Sequence, residues 1–179
     1  MKKIVLIFGS IAGAIAGGMF LATWPLHENG TLNPENGMLV GYTTMVIALS
    51  VIFFAVKSYR DNQLNGTISF GKALVMGLWI SLVAAVVYAL VWEVMYNTIA
   101  SGYLEKMADY SLEKMKAAGV SAEELIAKKK EMMESFEWYK NPLLRFGMTM
   151  AEILPVGILI SLICAALLRK KEFLPSESK

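Results

Sequence analysis

The fold is decided by a run of twenty residues without a formal charge, ALVMGLWISLVAAVVYALVW, at positions 73–92. About 20 apolar residues in a helix cross the hydrocarbon core of a bilayer, because each residue advances the helix by about 1.5 Å. Three further segments have the same character, and the four predicted spans are residues 4–24, 38–56, 73–96 and 146–168. A backbone in lipid must satisfy its own hydrogen bonds, so we expect all four spans to be helices.

The composition of the 179-residue chain agrees with an all-α, polytopic membrane protein. Hydrophobic residues make up 56% of the chain and charged residues only 18%, whereas soluble domains average about 45–50% and 25%. The formal net charge is +2 and the basic residues form no single stripe, so a nucleic-acid partner is not expected. The partner that the composition predicts is the lipid bilayer.

Residue types that support catalysis or metal binding are scarce. The chain has one cysteine, Cys164, and one histidine, His27, which excludes an internal disulfide and argues against a zinc site or a Cys/His catalytic site. No paired carboxylates and no nucleophile with a nearby base are apparent. We therefore predict a non-enzymatic protein that holds no cofactor and no metal.

Basic residues predict the orientation in the membrane. If the four helices alternate in direction, the basic residues near the short span ends all fall on one side: Lys2, Lys3, Lys57, Arg60, Lys72, Arg169, Lys170 and Lys171. Residues 25–37, on the opposite side, contain no Lys or Arg. Because cytoplasmic loops carry the excess of basic residues, we expect both termini to face the cytoplasm across a bacterial plasma membrane. An aromatic belt should then lie at the outer interface: Trp24, Trp92, Tyr96, Trp138 and Tyr139.

The first span has an alternative interpretation as a secretory signal. Lys2-Lys3, the apolar run and Ala14-Ile15-Ala16 resemble a signal peptide with a small-residue cleavage site. The apolar run continues to Trp24, however, which favours a retained helix. Cleavage would leave the predicted orientation of the other three spans unchanged.

Residues 97–142 are predicted to form an extracytoplasmic amphipathic helical hairpin inserted between the third and fourth spans. Apolar residues recur at helical spacing in two stretches, and Ala118-Gly119 separates them. Ser121 and Glu124 have the spacing of a capping box, which starts the second helix. We expect the hairpin to lie on the outer membrane face or to cap the bundle. A surface that recruits an extracytoplasmic protein partner is the alternative.

Three glycines mark one face of the first span as a helix-packing surface. Gly9, Gly13 and Gly17 form two overlapping GxxxG patterns. Such a face lets another helix approach closely, which favours association in lipid. Packing within one bundle is the favoured interpretation, and a homodimer through helix one is the alternative.

The fourth span contains one acidic residue, Glu152, at a depth where an ionised side chain costs at least about 2.5–3.5 kcal/mol. Arg145 lies two turns earlier on the same helical face, and Glu93 lies near the same membrane surface. These three residues form a candidate intramembrane polar cluster. We favour a structural cluster that fixes helix register, because no second deep acid or base gives Glu152 a transport partner. A proton or cation relay is the alternative.

The chain resembles a bacterial family of membrane proteins catalogued as domain of unknown function 4199. The resemblance rests on Tyr59-Arg60-Asp61, on NGTISFGKAL at 65–74, on ILPVG at 153–157, on ISLI at 160–163 and on Arg169-Lys170-Lys171. It implies four membrane helices and a plasma-membrane location. The family has no known activity, so the resemblance assigns no catalytic residue. The expected function is a membrane scaffold or accessory protein acting through helix packing, and the alternative is a small proton- or cation-coupled transport subunit that uses Glu152.

Overall fold

The computed structural model describes residues 1–170 and 173–174, so Lys171 of the predicted basic end lies outside the described residues. The described chain is helical. Its elements are α1 (Lys2–Glu28), α2 (Pro34–Leu49), α3 (Val51–Gln63), α4 (Phe70–Thr98), α5 (Tyr103–Ala117), α6 (Ala122–Tyr139) and α7 (Pro142–Leu168). Four segments are long and apolar enough to cross a membrane: α1, α2 with α3, α4, and α7. The predicted all-α class and the four apolar helices are therefore confirmed.

The second predicted span, residues 38–56, is built from two helices rather than one. The division falls at Ser50, whose hydroxyl donates to Ile47 O at 2.6 Å. Its backbone N–H is shared between Val46 O and Ile47 O, at 3.0 and 3.2 Å. Ser50 keeps right-handed helical torsions, with φ −58° and ψ −22°, so α2 and α3 follow each other without a loop.

Helix α4 lies at the centre of the bundle and packs against α7 and α1. Small residues bring α4 and α7 together, because a Cβ added at Gly77 would lie 2.8 Å from Ser161 Cβ and one at Gly157 would lie 2.6 Å from Ser81 Cβ. The order of these contacts is reversed along the two helices, so α4 and α7 are antiparallel.

The bundle has one basic end and one aromatic end. At the basic end, the buried Arg60 donates to Phe173 O at 2.9 Å, and the Lys72 ammonium lies 5.6 Å from the centre of the Tyr59 ring. At the other end, a separate buried cluster contains Trp24, Trp92 and Met95. The basic and aromatic residues are thus separated along the helix axes, as membrane helices that alternate in direction require.

The outward faces of the spanning helices are apolar. The large apolar residues that are more than half exposed on these faces include Leu6, Leu39, Phe54, Val94 and Leu159. Exposing so many apolar side chains to water would be unfavourable, whereas contact with the apolar chains of lipids carries no such free-energy penalty.

Helices α5 and α6 follow α4 and pack against each other. Gly119, just after α5, has a left-handed backbone conformation with φ +83°. Few residues other than glycine adopt this conformation readily. Ser121 and Glu124 form the predicted capping box at the start of α6. Lys114 of α5 forms an ion pair with Glu35 in the first turn of α2, which ties α5 to the aromatic end of the bundle.

Candidate functional site

The strongest polar contact inside the bundle joins Glu93 of α4 to Arg145 of α7. The Arg145 Nε donates to Glu93 Oε1 at 2.9 Å and its Nη2 donates to Glu93 Oε2 at 2.6 Å. Asn141 and Pro142 start α7, and the Asn141 side chain accepts from Leu143 N at 2.9 Å. This cap places Arg145 in the second turn of α7, where its side chain reaches α4. The result is a bidentate ion pair of the strong type.

The remaining donors and the flat face of the Arg145 guanidinium are also occupied. Its Nη1 donates to Tyr139 O at 3.2 Å, and its central carbon lies 3.9 Å from the centre of the Tyr96 ring. Arg145 is only 2% exposed, so its charge is buried but compensated by Glu93, a carbonyl and an aromatic face. This geometry fixes the charge in place and leaves no direct contact for Glu152.

An aromatic cluster surrounds the ion pair. The Trp92 indole N–H donates to the Tyr139 hydroxyl at 2.9 Å, and the Trp92 ring meets Phe20 of α1 edge to face at 5.2 Å. Burial raises the pKa of Tyr139 above its usual value, although the Trp92 donor and the charge of Arg145 partly oppose that shift. Tyr139 is therefore neutral at physiological pH, and its hydroxyl accepts the hydrogen bond from Trp92.

Glu152 stands apart from the other two predicted cluster residues. It lies on α7 two turns beyond Arg145 and is exposed, and it pairs with no side chain in the described part of the chain. Its neighbours Thr149 and Ile153 are buried against the bundle. Burial raises the pKa of Tyr103 above its usual value, and the carboxyl of Glu152 adds to that shift. Of the predicted cluster, the structure joins Glu93 to Arg145 and leaves Glu152 on the flank of α7.

The three glycines of α1 face α4 of the same chain. A Cβ added at Gly9 would lie 2.6 Å from Val83 Cβ, and one at Gly17 would lie 2.8 Å from Val91 Cβ. At Gly13 the added atom would lie 2.6 Å from both Ala84 O and Val87 Cβ. Contacts below 3.0 Å require either helix to shift, so a side chain cannot be added without loss of packing. The contacts run in the same order along both helices, so α1 and α4 are parallel.

Arg60 is a buried residue whose structural role the sequence did not indicate. It is 0% exposed, and its guanidinium donates to Asp61 Oδ1 at 2.6 Å and to the carbonyls of Leu168, Phe173 and Leu174. Its position four residues after Val56 and eight after Ile52 continues a buried stripe of α3. That spacing was the available signal, but a basic residue near a span end is ordinarily taken to face water.

The site shows no arrangement of metal-ligating type. Among residues 1–170 and 173–174, no three His, Cys, Asp or Glu side chains are grouped to hold a metal ion. At the aromatic end, Glu93 pairs with Arg145 and the Trp92 N–H pairs with the Tyr139 hydroxyl.

The comparisons with known proteins identify the family. Curated proteins and solved structures give no match to the chain. A family model described as "Protein of unknown function (DUF4199)" matches residues 7–170, which include nearly all of the helical bundle. The sequence resemblance is thereby confirmed, and the chain belongs to the DUF4199 family.

Proposed function

We propose that this chain is a non-enzymatic membrane scaffold or accessory protein that acts by lateral association of its helices. One observation carries the proposal: the interior charges are paired with each other, whereas Glu152 is exposed on the flank of α7 without a side-chain partner in the described chain. Met148 and Leu159 lie on the same exposed flank. An acidic group on an apolar, lipid-depth surface is best satisfied by a polar group of a neighbouring membrane helix.

The glycine face supports an association surface on α7 rather than on α1. Gly9, Gly13 and Gly17 are in contact with α4 of the same chain. A homodimer through this face of α1 would have to displace α4. The exposed flank of α7 requires no such rearrangement, so it is the surface that we assign to the partner helix.

We place the protein in a bacterial plasma membrane with its basic end in the cytoplasm. The support is the gathering of Arg60, Lys72 and Arg169 at one end of the bundle and of the aromatic cluster at the other. In this orientation α5 and α6 form the extracytoplasmic hairpin. Exposed apolar side chains on α6, such as Ile126 and Trp138, make that hairpin the second candidate surface for a protein partner.

A small proton- or cation-coupled transport subunit is the second candidate function. The observation that favours it is the same free carboxyl of Glu152, which is available to bind and release a proton. The argument against transport is that Glu93 and Arg145 already bind each other in a bidentate pair at 2.6 and 2.9 Å, so neither is available to exchange a proton or a cation with Glu152. A relay needs a second group that can change its protonation or bind the cation.

Two variants of Glu152 test the proposal by cross-linking in native membranes. The reporter is Leu159→Cys on a Cys164→Ala background, because Leu159 is exposed on the same flank. The scaffold function predicts a cross-linked product with wild-type Glu152 and with Glu152→Gln, which keeps the volume and hydrogen bonding of a protonated carboxyl. Glu152→Leu should abolish the product, and Glu134→Gln on the exposed surface of α6 should leave it unchanged.

Flux measurements separate the two functions. Wild-type protein in liposomes should carry no proton or sodium flux above protein-free controls under an imposed gradient. The scaffold proposal is wrong if wild-type liposomes do show flux and Glu152→Gln abolishes it without lowering thermal stability. It is also wrong if no cross-linked product forms with the wild-type side chain.

A further inference from the structure

A cavity lies at the aromatic end of the bundle, outside the polar cluster described above. Its walls come from the end of α1, the loop that follows α1 and the first half of α5. Its volume is about 300 Å³, at the lower end of the roughly 300–1,000 Å³ typical of ligand sites. The space suits the polar headgroup of an amphiphile rather than its acyl chains.

One wall of the cavity is a packed group of three rings. Trp24 lies 6.2 Å from His27 and 6.1 Å from Tyr103, and His27 lies 6.4 Å from Tyr103, all measured between ring centroids. Mutual packing of the rings makes this wall firm. Trp24 is 6% exposed, and its indole N–H has no acceptor among the described residues. That N–H is itself buried, so this wall presents aromatic ring surface to the cavity.

The other walls carry two opposite charges. Glu28 lines the cavity from the end of α1 and Lys106 lines it from α5, and both side chains are exposed. Within the described residues neither forms an ion pair at 4.0 Å or less, although other surface charges of α5 and α6 do. An anionic group and a cationic group of one ligand can each find an opposite charge here.

We propose that this cavity binds a headgroup that carries both a phosphate and an ammonium group. The phosphate is bound by Lys106, the ammonium group is bound by Glu28, and the aromatic wall with Trp24 packs against the headgroup. Either a zwitterionic phospholipid or its free phosphorylated amino alcohol carries this chemistry. The membrane lipid is the favoured source, because the cavity lies where α1 leaves its apolar run and Trp and Tyr side chains gather, which is the level of lipid headgroups.

The test is a binding titration of the purified full chain in detergent with short-chain phosphatidylethanolamine. Wild-type protein should bind it saturably, with a change in tryptophan fluorescence that Trp24→Phe removes. Lys106→Gln and Glu28→Gln should each raise the dissociation constant about tenfold, as expected for loss of a charge-assisted contact. Lys116→Gln and Glu113→Gln are the matched controls, because both residues are exposed on α5 and outside the cavity lining. These controls should bind like the wild type.

Two further ligands identify the source and test the charge pattern. Free phosphoethanolamine that binds as tightly as the lipid would support the same site with a soluble ligand, and binding of the lipid alone would support a membrane source. Short-chain phosphatidylglycerol, which lacks the ammonium group, should bind about tenfold more weakly. The proposal is overturned if no ligand binds saturably, if phosphatidylglycerol binds equally well, or if the Lys106 and Glu28 variants bind like the wild type.

Discussion

Arg145 and Glu93 are 52 residues apart in the chain, yet their side chains meet in a bidentate pair with N···O distances of 2.9 and 2.6 Å. The pair joins the second turn of α7 to the last third of α4 beside the aromatic cluster. Deeper in the bundle, Ser81 of α4 and Ser161 of α7 come within 3.4 Å of each other. We therefore expect Arg145 to act as a positioning residue for the α4 and α7 pair.

Replacing only one member of this ion pair should destabilise the protein, because the other member is then left buried without its partner. Glu93→Gln leaves the Arg145 charge buried without a counterion, and we expect the free energy of unfolding to fall by about 2–4 kcal/mol. The lower end is favoured because the Glu93 side chain is 18% exposed. Thermal or denaturant unfolding in one detergent measures the change.

The double variant provides the control for the pair. Glu93→Gln combined with Arg145→Gln should cost less than the sum of the two single variants, because the second change removes the uncompensated charge. Additive losses would show that the two side chains do not stabilise the bundle through each other.

Two glycines of α1 allow a matched comparison, because Gly13 contacts α4 and Gly18 does not. Gly13→Ala should lower stability by about 1–3 kcal/mol, since the new Cβ would lie 2.6 Å from the Ala84 carbonyl oxygen and Val87 Cβ. Gly18→Ala should be neutral or slightly stabilising, because nothing lies within 4 Å of its added Cβ and alanine favours a helix. Thermal unfolding with oligomer mass in detergent checks both. Equal stability of the two variants would contradict the contact between α1 and α4, and a loss of oligomer mass alone would favour the homodimer.

Arg60 gives a prediction for the basic end. Lysine keeps the charge but has no planar fork, so Arg60→Lys should leave buried carbonyl oxygens unsatisfied and cost about 1–3 kcal/mol. Lys57→Gln is the control, because Lys57 is partly exposed and, among the residues that the structure describes, pairs only with Asp61, at 2.6 Å. We expect it to change stability by less than about 1 kcal/mol. Similar unfolding temperatures for wild type and Arg60→Lys would show that the carbonyl contacts of Arg60 do not stabilise the fold.

Local chemistry explains which features could be predicted from the sequence. The four apolar segments follow from composition, and the capping box of Ser121 and Glu124 follows from spacing within one turn. The division of the second span at Ser50 was missed, because a serine in an apolar helix can either donate back to a carbonyl or stay passive. Spacing alone does not show which of these occurs.

Contacts between distant segments explain the rest. Arg145 shares a helical face with Glu152, but two turns separate them by about 10 Å along the axis, whereas α4 brings Glu93 within reach. The cavity between α1 and α5 arises only when α5 folds back over the aromatic end, and the Lys114 to Glu35 ion pair helps to hold it there. Neither contact produces a repeating pattern of residues in the sequence, so neither could be predicted from the sequence alone.

The orientation in the membrane is the prediction on which the assignment of every surface depends. With Cys164 replaced by alanine, Ala118→Cys in the turn between α5 and α6 should react with a membrane-impermeant reagent in intact cells. Gln63→Cys at the end of α3 should not react, because the basic residues Arg60 and Lys72 at that end predict that it faces the cytoplasm. Both positions are exposed, so both should react after the membrane is permeabilised, which controls for access. If only Gln63→Cys were labelled in intact cells, the orientation would be the opposite of the predicted one. Helices α5 and α6 and the cavity beneath α5 would then face the cytoplasm.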